Sequence, residues 1–310
     1  MHLVCMRRPI PRLAVVSLLL LAGCSGLLLR PDTSALTPAT MPDVPAGVEV
    51  AAGQLASSTG CTLDYRTFLP AAGASPPGAG AGGDWVILAH GFLRSQQRMQ
   101  GLAAAMAADG MQVATLDFCN QKPWAGRHVQ NGRDMVALAR HLRAQRVVYA
   151  GFSAGGLAAV LAGQSDTQAV GVLTLDLVET QGLGVRAARS LSKPLLGLAG
   201  EPTNCNALDN GRAVFAASER AQVQRIQGAG HCDFEAPTDG LCELVCADPD
   251  GPEQAHRARI IARAGAAAGA LLDGDTAGWA SPAGSADGIA ADRGAQPERQ
   301  VTSLPGSRGG

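Results

Sequence analysis

Gly151-Phe152-Ser153-Ala154-Gly155 sets a serine between two glycines, directly after the β-branched run Val147-Val148 and ahead of an alanine-rich stretch. A strand, a sharp turn and a helix in that order present a hydroxyl where a substrate can reach it. The chemistry that needs such a turn is acyl transfer, in which a serine too weak to attack alone is handed to a base beside an oxyanion site. With 39 Gly and 16 Ser in 310 residues, the bare pattern arises by chance about 0.25 times, so its surroundings carry the inference. The rest of the chain must supply an acid, a histidine and an oxyanion hole.

The elements that would position these groups follow from periodicity. Val48 to Leu55 and Cys61 to Leu69 alternate as two antiparallel strands, and the Gly/Ala/Pro/Ser segment 71–84 reads as a surface loop. Trp85 to Ala89 is a continuous apolar run, a strand buried on both faces that ends at His90-Gly91-Phe92. A helix over Ser95 to Asp109, a strand over Met111 to Phe118 and a helix over Val129 to Ala144 lead to the strand before Ser153. The alternation continues with a helix over Gly155 to Ala162, strands over Ala169 to Leu175 and Pro194 to Ala199, and a helix near Ala207 to Ser218. A strand over Val223 to Ile226 and a closing helix over Gln254 to Leu272 complete it. This pattern predicts an α/β fold with a doubly wound, mostly parallel sheet, whose function sits at the carboxyl ends of the strands. His90, Ser153, Asp176, Glu201 and His231 all fall at or just beyond such ends.

Composition narrows the class. The chain is 46% apolar with 16% charged residues and a net charge of −1, so nothing points to a nucleic-acid partner. Arg7, Arg8 and Arg12 precede the apolar run Leu13 to Leu21, too short to span a bilayer and suited to a signal-peptide core. Leu21-Ala22-Gly23-Cys24 after it resembles the lipobox of bacterial lipoproteins. That resemblance implies a signal peptide over 1–23, lipidation of Cys24 and, with Ser25 behind it, outer-membrane sorting toward the periplasm. Residues 24–47 then read as a flexible tether, 48–272 as the folded domain and 273–310 as a disordered tail. Cys61, Cys119, Cys205, Cys232, Cys242 and Cys246 form an even set in a disulfide-permitting compartment. Disulfides are preferred over a metal site at Cys242 and Cys246, since no paired Cys-x-x-Cys elements occur. A Cys205–Cys232 bridge is one expectation, because it would pin the histidine loop to the sheet.

His90-Gly91-Phe92, Gly151-Phe152-Ser153-Ala154-Gly155 and Gly230-His231-Cys232-Asp233-Phe234 together resemble the α/β-hydrolase superfamily over about Val48 to Leu272. The finer look is that of the chlorophyllase and dienelactone-hydrolase-like esterases. The resemblance implies Ser153 as nucleophile, His231 as base, and the backbone N–H groups of Phe92 and Ala154 as the oxyanion hole, with His90 ordering its loop. Asp176 is the favoured acid, because the turn Pro202-Thr203-Asn204 offers no aspartate in the commoner position. Glu201 is the alternative, and Asp233 stands too close in sequence to His231 to orient its far ring nitrogen. Only about seventeen residues separate Asp176 from Pro194, too few for a large cap domain. The expected site is open and walled by Phe92, Phe152, Leu177 and Val178, suiting a small-molecule ester with an apolar or bulky part. No cofactor and no metal are called for, and a monomer is expected. A thioesterase or peptidase would use the same apparatus. The competing class is a non-catalytic envelope lipoprotein that binds a ligand; the presence of both Ser153 and His231 weighs against it.

Overall fold

The computed structural model describes residues 44–57, 60–71, 82–119, 126–246, 254–277, 279 and 289–291. The signal stretch, Cys24 and most of the tether lie outside these residues. Strands β1 (Val48–Ala56), β2 (Thr62–Pro70), β3 (Asp84–Ala89), β4 (Gln112–Leu116), β5 (Arg146–Phe152), β6 (Ala169–Leu175), β7 (Leu195–Ala199), β8 (Ala221–Ile226) and β9 (Ile289–Ala291) form one sheet in the order β1-β2-β4-β3-β5-β6-β7-β8-β9. The six strands β3 to β8 run parallel, and β1, β2 and β9 pair antiparallel at the two edges.

Period-two alternation divides the parallel strands between two cores. Val86, Leu88, Val148, Ala150, Phe152, Leu173 and Leu175 face one side, where α1 (Gln100–Ala108) and α7 (Gln254–Asp273) cover them. Ile87, Ala89, Val147, Tyr149 and Val172 face the other, beneath α2 (His128–His141), α3 (Ala154–Ser165), α4 (Leu183–Ser190) and α5 (Arg212–Ala216). Tyr149 is fully buried, and its hydroxyl is satisfied by donating to Asp166 at 2.6 Å. A last helix, α6 (Gly240–Cys246), follows the histidine turn. The only helix between β6 and β7 is α4, so no large cap domain is inserted there, and none covers the carboxyl ends of the strands among the described residues.

Three elements differ from expectation. The helix read over 95–109 starts as a 3-10 turn, Gln96–Met99, because Asp117 captures the Gln96 backbone N–H and its carboxamide. The helix read from Ala207 begins only at Arg212. Asn206 Oδ1 accepts the N–H groups of Thr203 and Asp209, and Ala207, Leu208 and Asp209 all take positive φ, which winds the segment into a loop. The stretch after Asp273, read as disordered, supplies buried Trp279 and strand β9. An apolar ring that packs on the core, a carbonyl for Gln224 and an open edge on β8 give it places to bind.

Candidate active site

β5 ends at Phe152, and the chain must reverse at once to begin α3. Ser153 makes that turn with φ 54° and ψ −121°, a region that costs a non-glycine residue about 1–3 kcal/mol. Its N–H donates to Leu175 at 2.8 Å and its carbonyl accepts from Gly156 at 3.0 Å, so β6 and the first turn of α3 fix it from two sides. The flanking glycines have a steric reason. A Cβ on Gly151 would overlap the Gly155 carbonyl, and one on Gly155 would overlap the carbonyl of His90. Gly91 is packed less tightly but still against the turn: its Cβ would stand 3.3 Å from Ser153 Cβ and 3.0 Å from the Phe152 ring.

Asp176, one residue past β6, is 1% exposed and also takes a positive φ, 44°. Its Oδ2 lies 2.5 Å from His231 Nδ1, while Oδ1 accepts the Gly200 N–H at 2.9 Å. Asn206 Nδ2 stands 3.2 Å from both carboxylate oxygens and donates to the Glu201 carbonyl at 2.8 Å. A carboxylate accepting at Nδ1 holds the imidazole in the tautomer that leaves Nε2 as the basic nitrogen. The Phe152 ring lies 4.6 Å from the imidazole and fixes its other side. Six of the eight non-glycine residues with positive φ among those described, Leu93, Ser153, Asp176, Ala207, Leu208 and Asp209, stand in these loops. Backbone strain is thus concentrated where the chemistry-bearing side chains gather.

Glu201 is not part of this cluster. It is half-exposed, accepting from Gly228 N–H at 3.1 Å with Arg225 at 4.0 Å. Asp233 caps its own turn through Gly230 N–H at 3.0 Å and faces His256 at 3.3 Å. His90 is buried, donates from Nδ1 to Gly91 at 2.7 Å and accepts the Phe118 N–H at Nε2 over 3.3 Å. Both ring nitrogens are therefore committed to holding the ends of β3 and β4 together. Phe92 sits in the turn that the Arg94 N–H closes on Gly91, and Ala154, as first residue of α3, has an N–H with no intrahelical acceptor. Phe152 and Leu177, expected as cleft walls, are core residues instead: the strand alternation and the turn past Asp176 rotate both inward. Phe92 is the exposed aromatic of the set.

Sequence reasoning passed over Asn206 and an ionic cluster behind the site. Arg94 forms a two-pronged pair with fully buried Glu235, 2.7 Å on each arm. Asp239 joins Arg94 at 2.9 Å and Arg98 at 2.6 Å. The cluster stitches the loop carrying Phe92 to the segment carrying His231. Burial pushes the Glu235 carboxyl up, and Arg94 pulls it back. No local pattern distinguishes Asn206 from an ordinary loop asparagine, or Arg94 and Glu235 from surface charges.

The cysteines pair as Cys61–Cys119, Cys205–Cys246 and Cys232–Cys242. The expected Cys205–Cys232 bridge is therefore corrected. The short helix α6 presents Cys242 and Cys246 together, so Cys232 meets Cys242, ten residues away, while Cys205 crosses to Cys246. The sulfurs of Cys232, Cys242 and Cys246 lie within 4.8 Å of one another, but as disulfides they offer no thiolate to a metal.

No protein-family model matches the chain, and no curated protein matches it in sequence. Solved structures do resemble it. A ferulic acid esterase from Streptomyces cinnamoneus gives a TM-score of 0.58 at 18% identity, covering 83% of this chain and 98% of that one. A puromycin-hydrolyzing peptidase of Mycobacterium tuberculosis gives 0.51 at 15% identity, over 59% of this chain and 36% of that one. Likeness at such identities is likeness of fold. The fold is that of the α/β-hydrolases, with the serine turn between β5 and α3 and the histidine beyond β8.

Proposed function

We propose that the protein is a serine hydrolase acting on carboxylic esters through an acyl-enzyme, with Ser153 as nucleophile, His231 as base and Asp176 as acid. One observation carries this reading: a buried imidazole bonded at 2.5 Å through Nδ1 to a buried carboxylate, in the loops that surround a serine held at φ 54°. Nε2 of His231 takes the Ser153 hydroxyl proton as Oγ bonds to the ester carbon. Collapse of the tetrahedral intermediate breaks the bond to the leaving oxygen, which receives that proton from His231. Water then attacks the acyl-serine by the same route, giving the acid and free Ser153. The N–H groups of Ala154 and Phe92 are the proposed donors to the oxyanion, and the close pass of Gly91 beside Ser153 supports that placement. Three donors, from Gly200, Asn206 and His231, point at the Asp176 carboxyl group.

A fluorophosphonate probe should label Ser153, and 4-nitrophenyl esters of short acids should be cleaved, with both lost in Ser153→Ala. Wild-type protein that takes no label and turns over no ester would overturn the reading. Matched thioester and anilide substrates in the same assay separate an esterase from a thioesterase or a peptidase. We further propose that the chain is exported and anchored at the cell envelope through Cys24; three disulfides in the folded domain support an oxidising compartment.

A further inference from the structure

Asn206 is fully buried, and every hydrogen-bonding position of its carboxamide is filled. Oδ1 accepts the N–H groups of Thr203 at 2.8 Å and Asp209 at 3.0 Å. Nδ2 carries two hydrogens: one reaches the Glu201 carbonyl at 2.8 Å, and the other is shared between the two carboxylate oxygens of Asp176, each at 3.2 Å. The amide cannot be turned over, because that would set its oxygen against a carboxylate and its own hydrogens against two backbone N–H groups. Oδ1 and the Glu201 contact already close the loop that follows β7. The remaining hydrogen does nothing for the loop and is spent on Asp176.

We propose that Asn206 is a positioning residue of the reaction, holding the Asp176 carboxyl so that Oδ2 stays on His231 Nδ1. The inference rests on the serine hydrolase reading of Ser153. A swing of the carboxyl to either side lengthens one of the two equal arms to Nδ2, so this donor opposes movement in both directions. The Gly200 N–H fixes Oδ1 at 2.9 Å, and Oδ2 is left for the imidazole at 2.5 Å. The loop that carries Asn206 is itself tied down. Arg225 on β8 donates to the Gly200 carbonyl and pairs with Asp209, near its two ends. Cysteines stand beside both partners: Cys205, next to Asn206, is bonded to Cys246, and Cys232, next to His231, is bonded to Cys242. Cys242 and Cys246 lie one turn apart on the seven-residue helix α6. The holder of the acid and the base therefore share one covalent frame. Asn206 reaches the reacting atoms only through Asp176.

The test compares Asn206→Asp and Asn206→Ala with wild type on 4-nitrophenyl acetate. Aspartate keeps an oxygen for the Thr203 and Asp209 N–H groups but sets a second oxygen where the donor to Asp176 stood; alanine keeps neither. In each variant kcat should fall about 10²-fold, as for a small misplacement of a catalytic group, with KM changed by no more than about three-fold. In an Asp176→Asn background neither substitution should lower kcat further, because the group it acts through is already gone. The low-field proton resonance of His231 Nδ1–H should move in both variants, a readout that needs no turnover. Melting curves show which variants are folded, and either one suffices for the comparison. A loop-shaping role alone predicts the opposite pattern: Asn206→Asp close to wild type, and Asn206→Ala losing the same factor in both backgrounds. A folded Asn206→Asp variant with kcat within about two-fold of wild type, the same loss with and without Asp176, or an unmoved resonance overturns the positioning role. If wild type is labelled at Ser153 and cleaves the ester while any of these is found, the positioning role alone fails. If wild type shows neither label nor turnover, the hydrolase reading fails and the positioning role with it.

Discussion

Asp176 and Glu201 look equivalent in sequence, each an acidic residue at the end of a parallel strand, and side-chain surroundings separate them. Asp176 turns inward at φ 44°, and Asn206 and Gly200 donate to its oxygens while Oδ2 meets His231 Nδ1. Glu201 points to solvent and caps Gly228. Replacing Asp176 with Asn should lower kcat by about 10³–10⁴, because an amide donating to Nδ1 forces the proton onto Nε2, the nitrogen that must accept from Ser153. Glu201→Gln should stay within about two-fold of wild type, as expected of an exposed cap. A collapse in Glu201→Gln with Asp176→Asn still active would reverse the assignment. The positions of Ser153 and His231 were legible because glycine spacing and strand context leave a signature. Asn206 was not, because its role depends on three successive residues in a left-handed conformation, which neither periodicity nor propensity encodes.

At the scale of elements, the central strands β3, β5, β6 and β7 were readable as apolar runs because burial on both faces leaves few polar positions, whereas β8 at the sheet's flank keeps Gln222, Gln224 and Arg225. What the periodicity missed was the joinery between loops distant in sequence: Arg94 and Arg98 precede α1, and Glu235 and Asp239 follow the His231 turn, some 140 residues later. That joinery has a pH signature. Burial alone would raise the Asp239 carboxyl, but the Cys242 N–H and the Arg94 and Arg98 guanidiniums outweigh it and hold the pKa below its ordinary value. A carboxyl lowered on folding adds stability that is whole above the ordinary carboxylate range and is lost as pH falls from about 4 through the lowered folded value. Urea midpoints measured at pH 7 and pH 3 should therefore fall further for wild type than for Asp239→Asn. Equal falls would show that the cluster does not hold the two loops together in acid.

For the whole molecule, the disulfides tie the proposed export to the proposed function. Cys61–Cys119 joins the start of β2 to the segment after β4 across 58 residues, whereas Cys232–Cys242 closes only ten beside His231. In the chain-entropy account the first contributes about 4 kcal/mol and the second about 3 kcal/mol, so their loss should differ more in kind than in size. Cys61→Ser with Cys119→Ser should lower the unfolding free energy while leaving kcat near wild type, because this bridge joins β2 to the end of β4 whereas Ser153 and His231 follow β5 and β8. Cys232→Ser with Cys242→Ser should lower both, since it releases the turn that begins at His231. A protein with three disulfides, if exported as proposed, should mature outside the cytoplasm. Protein recovered from the envelope should thus have an intact mass for three disulfides and a chain beginning at acylated Cys24, while a soluble chain with an unmodified N-terminus would remove the anchor and leave the disulfide argument standing. Kinetics link the two arms: if the reduced, cytoplasmically made domain has full kcat, the bridge beside His231 does not position the base.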